Sequence, residues 1–233
     1  MTFRAGWNFL MTPGPTNIPD RVLREMARPA LEYAGPEFTE LSKGVHNDLK
    51  KLFKTSAEVF IYAANGHGAW EAALSNTLSP GDLVLVPETG QFSSSWSLMA
   101  ESLQINSLYM PGDWRTGVDP DEVEKALRED TQHKIKAVLM VHTDTATSVT
   151  SNVPAVRKAI DAAKHPALFM VDTIASLVNT EYHMDEWGVD VTISACQKGM
   201  MVAPGISFTA ANDKAREAGK ISTMPRNYWN WQT

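Results

Sequence analysis

The sequence predicts an α/β protein with a mainly parallel seven-stranded sheet between helices. Three observations carry this. Short runs rich in Val, Ile and Leu alternate with stretches of helical periodicity, the pattern of strand–helix–strand units. The runs are continuously apolar rather than alternating, so both of their faces need cover. Turn signals such as SPGD and PGD punctuate the alternation.

The elements follow in order. A loop, TPGPTNIP, has prolines and a glycine that suit an irregular, pre-shaped backbone; it either lines a site or leads into the fold. Arg21 to Met26 and Glu37 to Phe53 read as helices. The strands are Glu58 to Tyr62, Leu83 to Val86, Asn106 to Met110, Ala137 to His142, Leu168 to Asp172, Val191 to Ser194 and Ile206 to Ala211. Between them, Ala69 to Leu78, Phe92 to Leu103, Pro120 to Glu129 and Pro154 to Ala163 read as helices, several opened by Asp, Asn or Gly. Beyond Lys214 no helix is read, and three aromatics fall in the last six residues with nothing evident to bury them. The chain reads as interrupted there.

Composition narrows the function classes. At 233 residues and 43% hydrophobic, the chain can bury a substantial core. Its net charge is −6 and its 21 basic residues are interleaved with acidic ones, as in KALREDTQHKIK, which argues against a nucleic-acid partner. The lone Cys196 cannot make an internal disulfide, which fits a reducing compartment, the cytoplasm. No Cys/His cluster at ligand spacing suggests a metal site, and no apolar run suffices to span a membrane.

Three segments carry chemistry, each at the C-terminal end of a predicted strand, where loops of open α/β sheets converge on a ligand crevice. In NGHGAWEAAL, Gly66 and Gly68 permit close backbone approach, and the following helix offers amides to an anion; a plain strand-to-helix turn reads equally well. In FMVDTIASL, Asp172 ends a buried strand, where a carboxylate calls for a cationic partner such as a protonated pyridine nitrogen; a capping or turn Asp is the alternative. In SACQKGMMVAPG, Lys198 sits among small and apolar residues, a setting that lowers an amine's pKa and suits a Schiff-base nucleophile, though most lysines are simply surface lysines.

Together, TPGPTNIP, the PEF at 36 to 38, GHGAWEAAL, HTDTATSV, VDTIAS and SACQKGMMVAPG, in this order, resemble class V aminotransferases of pyridoxal 5'-phosphate (PLP) fold type I. The resemblance is strongest to the serine–glyoxylate, alanine–glyoxylate and aspartate–glyoxylate transaminases. It implies a PLP-dependent transfer of the amino group of serine, alanine or a similar amino acid to glyoxylate, giving glycine. Lys198 would be the Schiff-base residue and proton shuttle, and Asp172 the partner of the pyridine nitrogen. Ile174 would pack on one ring face and Phe92 on the other, with Thr145 near the ring. Asn65, Gly66, His67 and Gln197 would hold the phosphate, and the backbone at Gly14 would approach the substrate carboxylate.

The resemblance also implies a homodimer and a division into an N-terminal arm (1–35), a PLP-binding large domain (36–220) and the start of a connection (221–233) to a C-terminal small domain missing from this sequence. That domain carries the family's carboxylate-clamping arginine. The sequence departs from the family pattern at Asn65, where Ser or Thr is usual, at Ala195 and Cys196, where Gly and Ser are usual, and at Ala203 in APG, where PPG is usual.

Overall fold

A computed structural model describes residue 6 and residues 9–232. Seven strands form a single sheet: β1 (Glu58–Tyr62), β2 (Leu83–Pro87), β3 (Asn106–Met110), β4 (Ile135–Val141), β5 (Leu168–Asp172), β6 (Val191–Ala195) and β7 (Ser207–Ala211). Their order is β1-β7-β6-β5-β4-β2-β3. Strands β2 to β6 pair in parallel, whereas β7 runs antiparallel to both β6 and β1. Two reversals restore the original direction, so β1 points the same way as β6. The expected α/β class and mainly parallel seven-stranded sheet are therefore observed, with one strand reversed.

Helices cover both faces. α2 (Pro36–Phe53), α5 (Pro120–Glu129) and α6 (Val153–Ala162) pack on one side through Leu49, Phe53, Val123, Leu127, Val156 and Ile160. α3 (Gly66–Thr77), α4 (Gln91–Ser102) and α7 (Asp213–Ile221) cover the other through Trp70, Leu74, Trp96, Ala100 and Ala215. Trp70 and Trp96 stack in parallel at 5.5 Å between ring centres, which fixes α3 against α4. α1 (Asp20–Met26) has no buried residue. Among the described residues no helix is long and apolar enough to cross a membrane.

Strand and helix ends shift by a few residues from the sequence reading, and two differences have clear physical causes. α3 starts at Gly66 rather than Ala69, because the Asn65 side chain accepts a hydrogen bond from Gly68 N and so caps the helix ahead of its glycines. α7, absent from the sequence reading, is capped by Asn212, whose side chain accepts from Ala215 N.

The aromatic tail is not without cover. Residues 222–232 return along α3. Ser222 Oγ donates to Leu78 O (2.6 Å), Asn76 Nδ2 donates to Trp229 O (2.6 Å), and Trp231 N donates to Asn76 Oδ1 (3.0 Å). The Trp231 ring stacks on Phe60 at 5.0 Å, and its Nε1 donates to Tyr62 Oη (2.6 Å). Arg226 donates to the carbonyls of Ser75, Gly219 and Met224, fixing the start of this return.

Candidate active site

Strands β1, β4, β5 and β6 point their C-terminal ends to one rim. The loops leaving them, joined by the 14–15 turn and the start of α4, enclose a cavity of about 270 Å³. All ten residues singled out by the sequence line it: Gly14, Asn65, Gly66, His67, Phe92, Thr145, Asp172, Ile174, Gln197 and Lys198.

Asp172 lies at the end of β5 and is buried. The sequence reading called for a cationic partner; its hydrogen-bond donors are neutral. Trp70 Nε1 donates to Oδ2 at 2.8 Å and Ile174 N to Oδ1 at 2.6 Å. Burial is the largest influence on this carboxyl and pushes its pKa up to about 7, against the two hydrogen bonds and the attraction of Lys198. A carboxylate has about four lone-pair sites, so this one retains capacity for a further donor. Trp70 was missed as a site residue, since at helical spacing it reads as core.

Lys198 follows β6 and is half-buried. Desolvation holds its pKa below the usual lysine range, partly offset by attraction to Asp172. Its aliphatic stem runs against Gly14: a Cβ there would lie 2.5 Å from Lys198 Cδ and 2.9 Å from Gln197 O, so only glycine admits this approach. Thr16 N donates to Gln197 O (3.3 Å), tying the N-terminal loop to the lysine loop.

The β1–α3 turn supplies the anion-binding end. Gly66 and His67 occupy the first turn of α3, where backbone amides have no intrahelical partner and the helix dipole is positive. Gly66 abuts the Ile174 side chain and Gly68 abuts Ala64 Cβ beside the Trp229 ring, so a Cβ at either position would clash. His67 is exposed and its ring meets Trp70 edge-on at 4.7 Å. Gln197 Oε1 is buried with no hydrogen-bond partner, a polar atom left for a ligand. Phe92, at the start of α4, is half-buried and meets Trp70 edge-on at 6.3 Å. Cys196 Sγ donates to Ala203 O at 3.0 Å and burial raises the thiol's pKa; it packs rather than reacts.

A cavity with one sheltered amine, one buried carboxylate and a helix N-terminus suits an anionic, aromatic, nitrogen-protonated ligand that carries a carbonyl. The comparisons agree with that chemistry. The family model for aminotransferase class V matches residues 8–223, and the chain belongs to this family. It is 45% identical over 237 aligned positions to the serine–glyoxylate aminotransferase of Methylorubrum extorquens, covering 99% of this chain and 59% of the relative. It is 39% identical to the L-aspartate–glyoxylate aminotransferase of Paracoccus denitrificans, covering 96% and 57%. The crystal structure of ureidoglycine–glyoxylate aminotransferase from Bacillus subtilis superposes with a TM-score of 0.89 at 28% identity, covering 98% of this chain and 59% of that one. The fold is that of these fold type I aminotransferases, and the chain spans under two thirds of the length of the relatives it matches.

Proposed function

We propose that this chain forms the PLP-binding part of a transaminase that moves the amino group of serine, alanine or a similar amino acid to glyoxylate, giving glycine. The observation that carries the reading is the meeting of Lys198, Asp172 and the α3 N-terminus in one cavity. Relatives named for serine, aspartate or ureidoglycine as donor share glyoxylate in their names, which supports glyoxylate as the acceptor.

PLP fits the residues present: Asp172 is a buried carboxylate with capacity for an N–H⁺ donor, and the Gly66–His67 amides and Gln197 suit its phosphate. When bound, the cofactor withdraws electrons from the substrate's α-carbon. The chain does the rest. Asp172 would keep the ring nitrogen protonated, with Trp70 Nε1 and Ile174 N holding that carboxylate in place, and Phe92, Ile174 and Thr145 would hold the ring. Lys198 Nζ, its pKa lowered by burial, is the amine that would hold the cofactor and would serve as the general acid/base at the substrate's α-carbon. The Gly14 backbone lies beside Lys198, where the substrate carboxylate approaches. Residues 1–35 act as an arm and 36–220 as the cofactor domain, while 221–233 begin a connection to a further domain; the full protein works as a cytoplasmic homodimer on amino and 2-oxo acids.

Incubation of the chain with PLP should give a visible-range absorption that borohydride fixes covalently to the peptide containing Lys198. Lys198→Ala should abolish the adduct. An adduct that persists in K198A overturns the assignment.

A further inference from the structure

Asp144 has no role in the site so far, yet it is buried beside it with three backbone donors on its carboxylate. It follows β4 on the same loop as Thr145. Its Oδ2 accepts from Phe92 N (2.9 Å) and Ser93 N (3.2 Å), and its Oδ1 accepts from Ala146 N (3.0 Å). It therefore fills the N-terminus of α4 with an internal anion, while the N-terminus of α3 is left to a ligand. The fit is close. A Cβ on Gly90 would lie 2.5 Å from Asp144 Cγ and 2.7 and 2.9 Å from its oxygens, so the residue before α4 is glycine to admit this side chain. Thr147 Oγ1 adds a second tie between the same two segments by donating to Thr89 O (3.0 Å).

We propose that Asp144 is a positioning residue for cofactor binding: bonded to Phe92 N across 52 positions of sequence, it locks the Phe92 backbone to the Thr145 loop, so that these two lining residues keep one spacing. A loose Phe92 would still close the core but would not hold a flat ring. The inference rests on the PLP reading above, and its test separates the two.

The 233-residue chain is titrated with PLP and followed by visible absorption and circular dichroism, with borohydride trapping at Lys198 as the control. Asp144→Asn turns an acceptor oxygen into an amide donor facing backbone N–H groups. It should weaken PLP binding at least about tenfold, the usual scale for a lost charge-assisted hydrogen bond, and alter the circular dichroism, with trapping at Lys198 retained. In a Phe92→Leu background the same change should cost less than about threefold, because the residue it acts through is already gone. A folded D144N with the parent's affinity and circular dichroism overturns the inference, as does a full-sized effect in F92L. Should D144N not fold, Thr147→Val must weaken binding by about threefold or more, the loss of one neutral hydrogen bond; unchanged binding there overturns it equally. If the parent chain itself gives no adduct, the PLP reading fails instead.

Discussion

Asp172 keeps its proton to about pH 7 because burial in an apolar surround disfavours its charged form, against the pull of the two donors that hold it. Its folded pKa lies above its unfolded value, so the folded chain binds a proton that the unfolded chain releases. That contribution is fully present below about pH 4 and is lost as pH rises toward 7, at about 1.4 kcal/mol per pH unit where the states differ by one proton. In the cofactor-free chain, Asp172→Asn should remove this slope, so urea melts at pH 5 and pH 8 should differ in favour of the variant at the higher pH. His142 has the opposite sign, since burial pushes it down to about 4 and its contribution is lost as pH falls below about 6.5. The readout is therefore the difference between variant and parent, and a pH-independent difference would show that Asp172 is ordinarily ionised. At this scale the sequence was legible where a residue type is rare in its context, as with a Lys or Asp in an apolar strand-end loop. It was silent on Trp70 and Asp144, because the contacts that define them, to Asp172 and to Phe92 and Ser93, lie about a hundred and about fifty positions away in the chain.

Among the elements, α3 shows why a boundary matters. It is buried on nearly all sides, so no apolar stripe marks its start, and its two early glycines read as loop. The Asn65 cap moves the start to Gly66 and brings two amides to the cavity. Asn65→Ala should cost about 1 kcal/mol, the typical loss of an N-cap, and weaken binding of inorganic phosphate or PLP, whereas Asn65→Ser should stay close to the parent in thermal melts. Equal melting of N65A and the parent would remove the cap from the account. α7 was illegible for a different reason: it buries only Ala215 and Gly219, so its short charged sequence carries no apolar stripe to mark a helix. The aromatics after it find their partners on α3 and β1, elements formed some 150 residues earlier.

At the scale of the molecule, the sheet's class was legible because buried parallel strands have a distinctive composition, while the reversal of β7 was not, since SFTAA has no directional signal. Phe38, Leu41, Val45 and Leu52 expose apolar side chains along α2. This is the face we assign to the partner in the proposed homodimer. Sedimentation should find the parent chain as a dimer and Leu41→Asp shifted toward monomer by tenfold or more in dissociation constant, about 1.4 kcal/mol or more. A parent that sediments as a monomer at every accessible concentration would remove the dimer from this part of the protein.

The reversed strand also sets an order of assembly. Among the described strands β1 has only β7 as a neighbour in the sheet, so the first of these seven in chain order has no place until the seventh is made. The α3 turn proposed to hold the anion is carried by β1, and the lysine loop is carried by β6; insertion of β7 between them is what brings the two halves of the cavity to a fixed separation. Contacts so distant in sequence close slowly. The capacity to bind the proposed cofactor should therefore appear late, at the closing of the sheet, and a nascent chain that stops short of residue 207 should carry the lysine and aspartate loops without the α3 turn held opposite them.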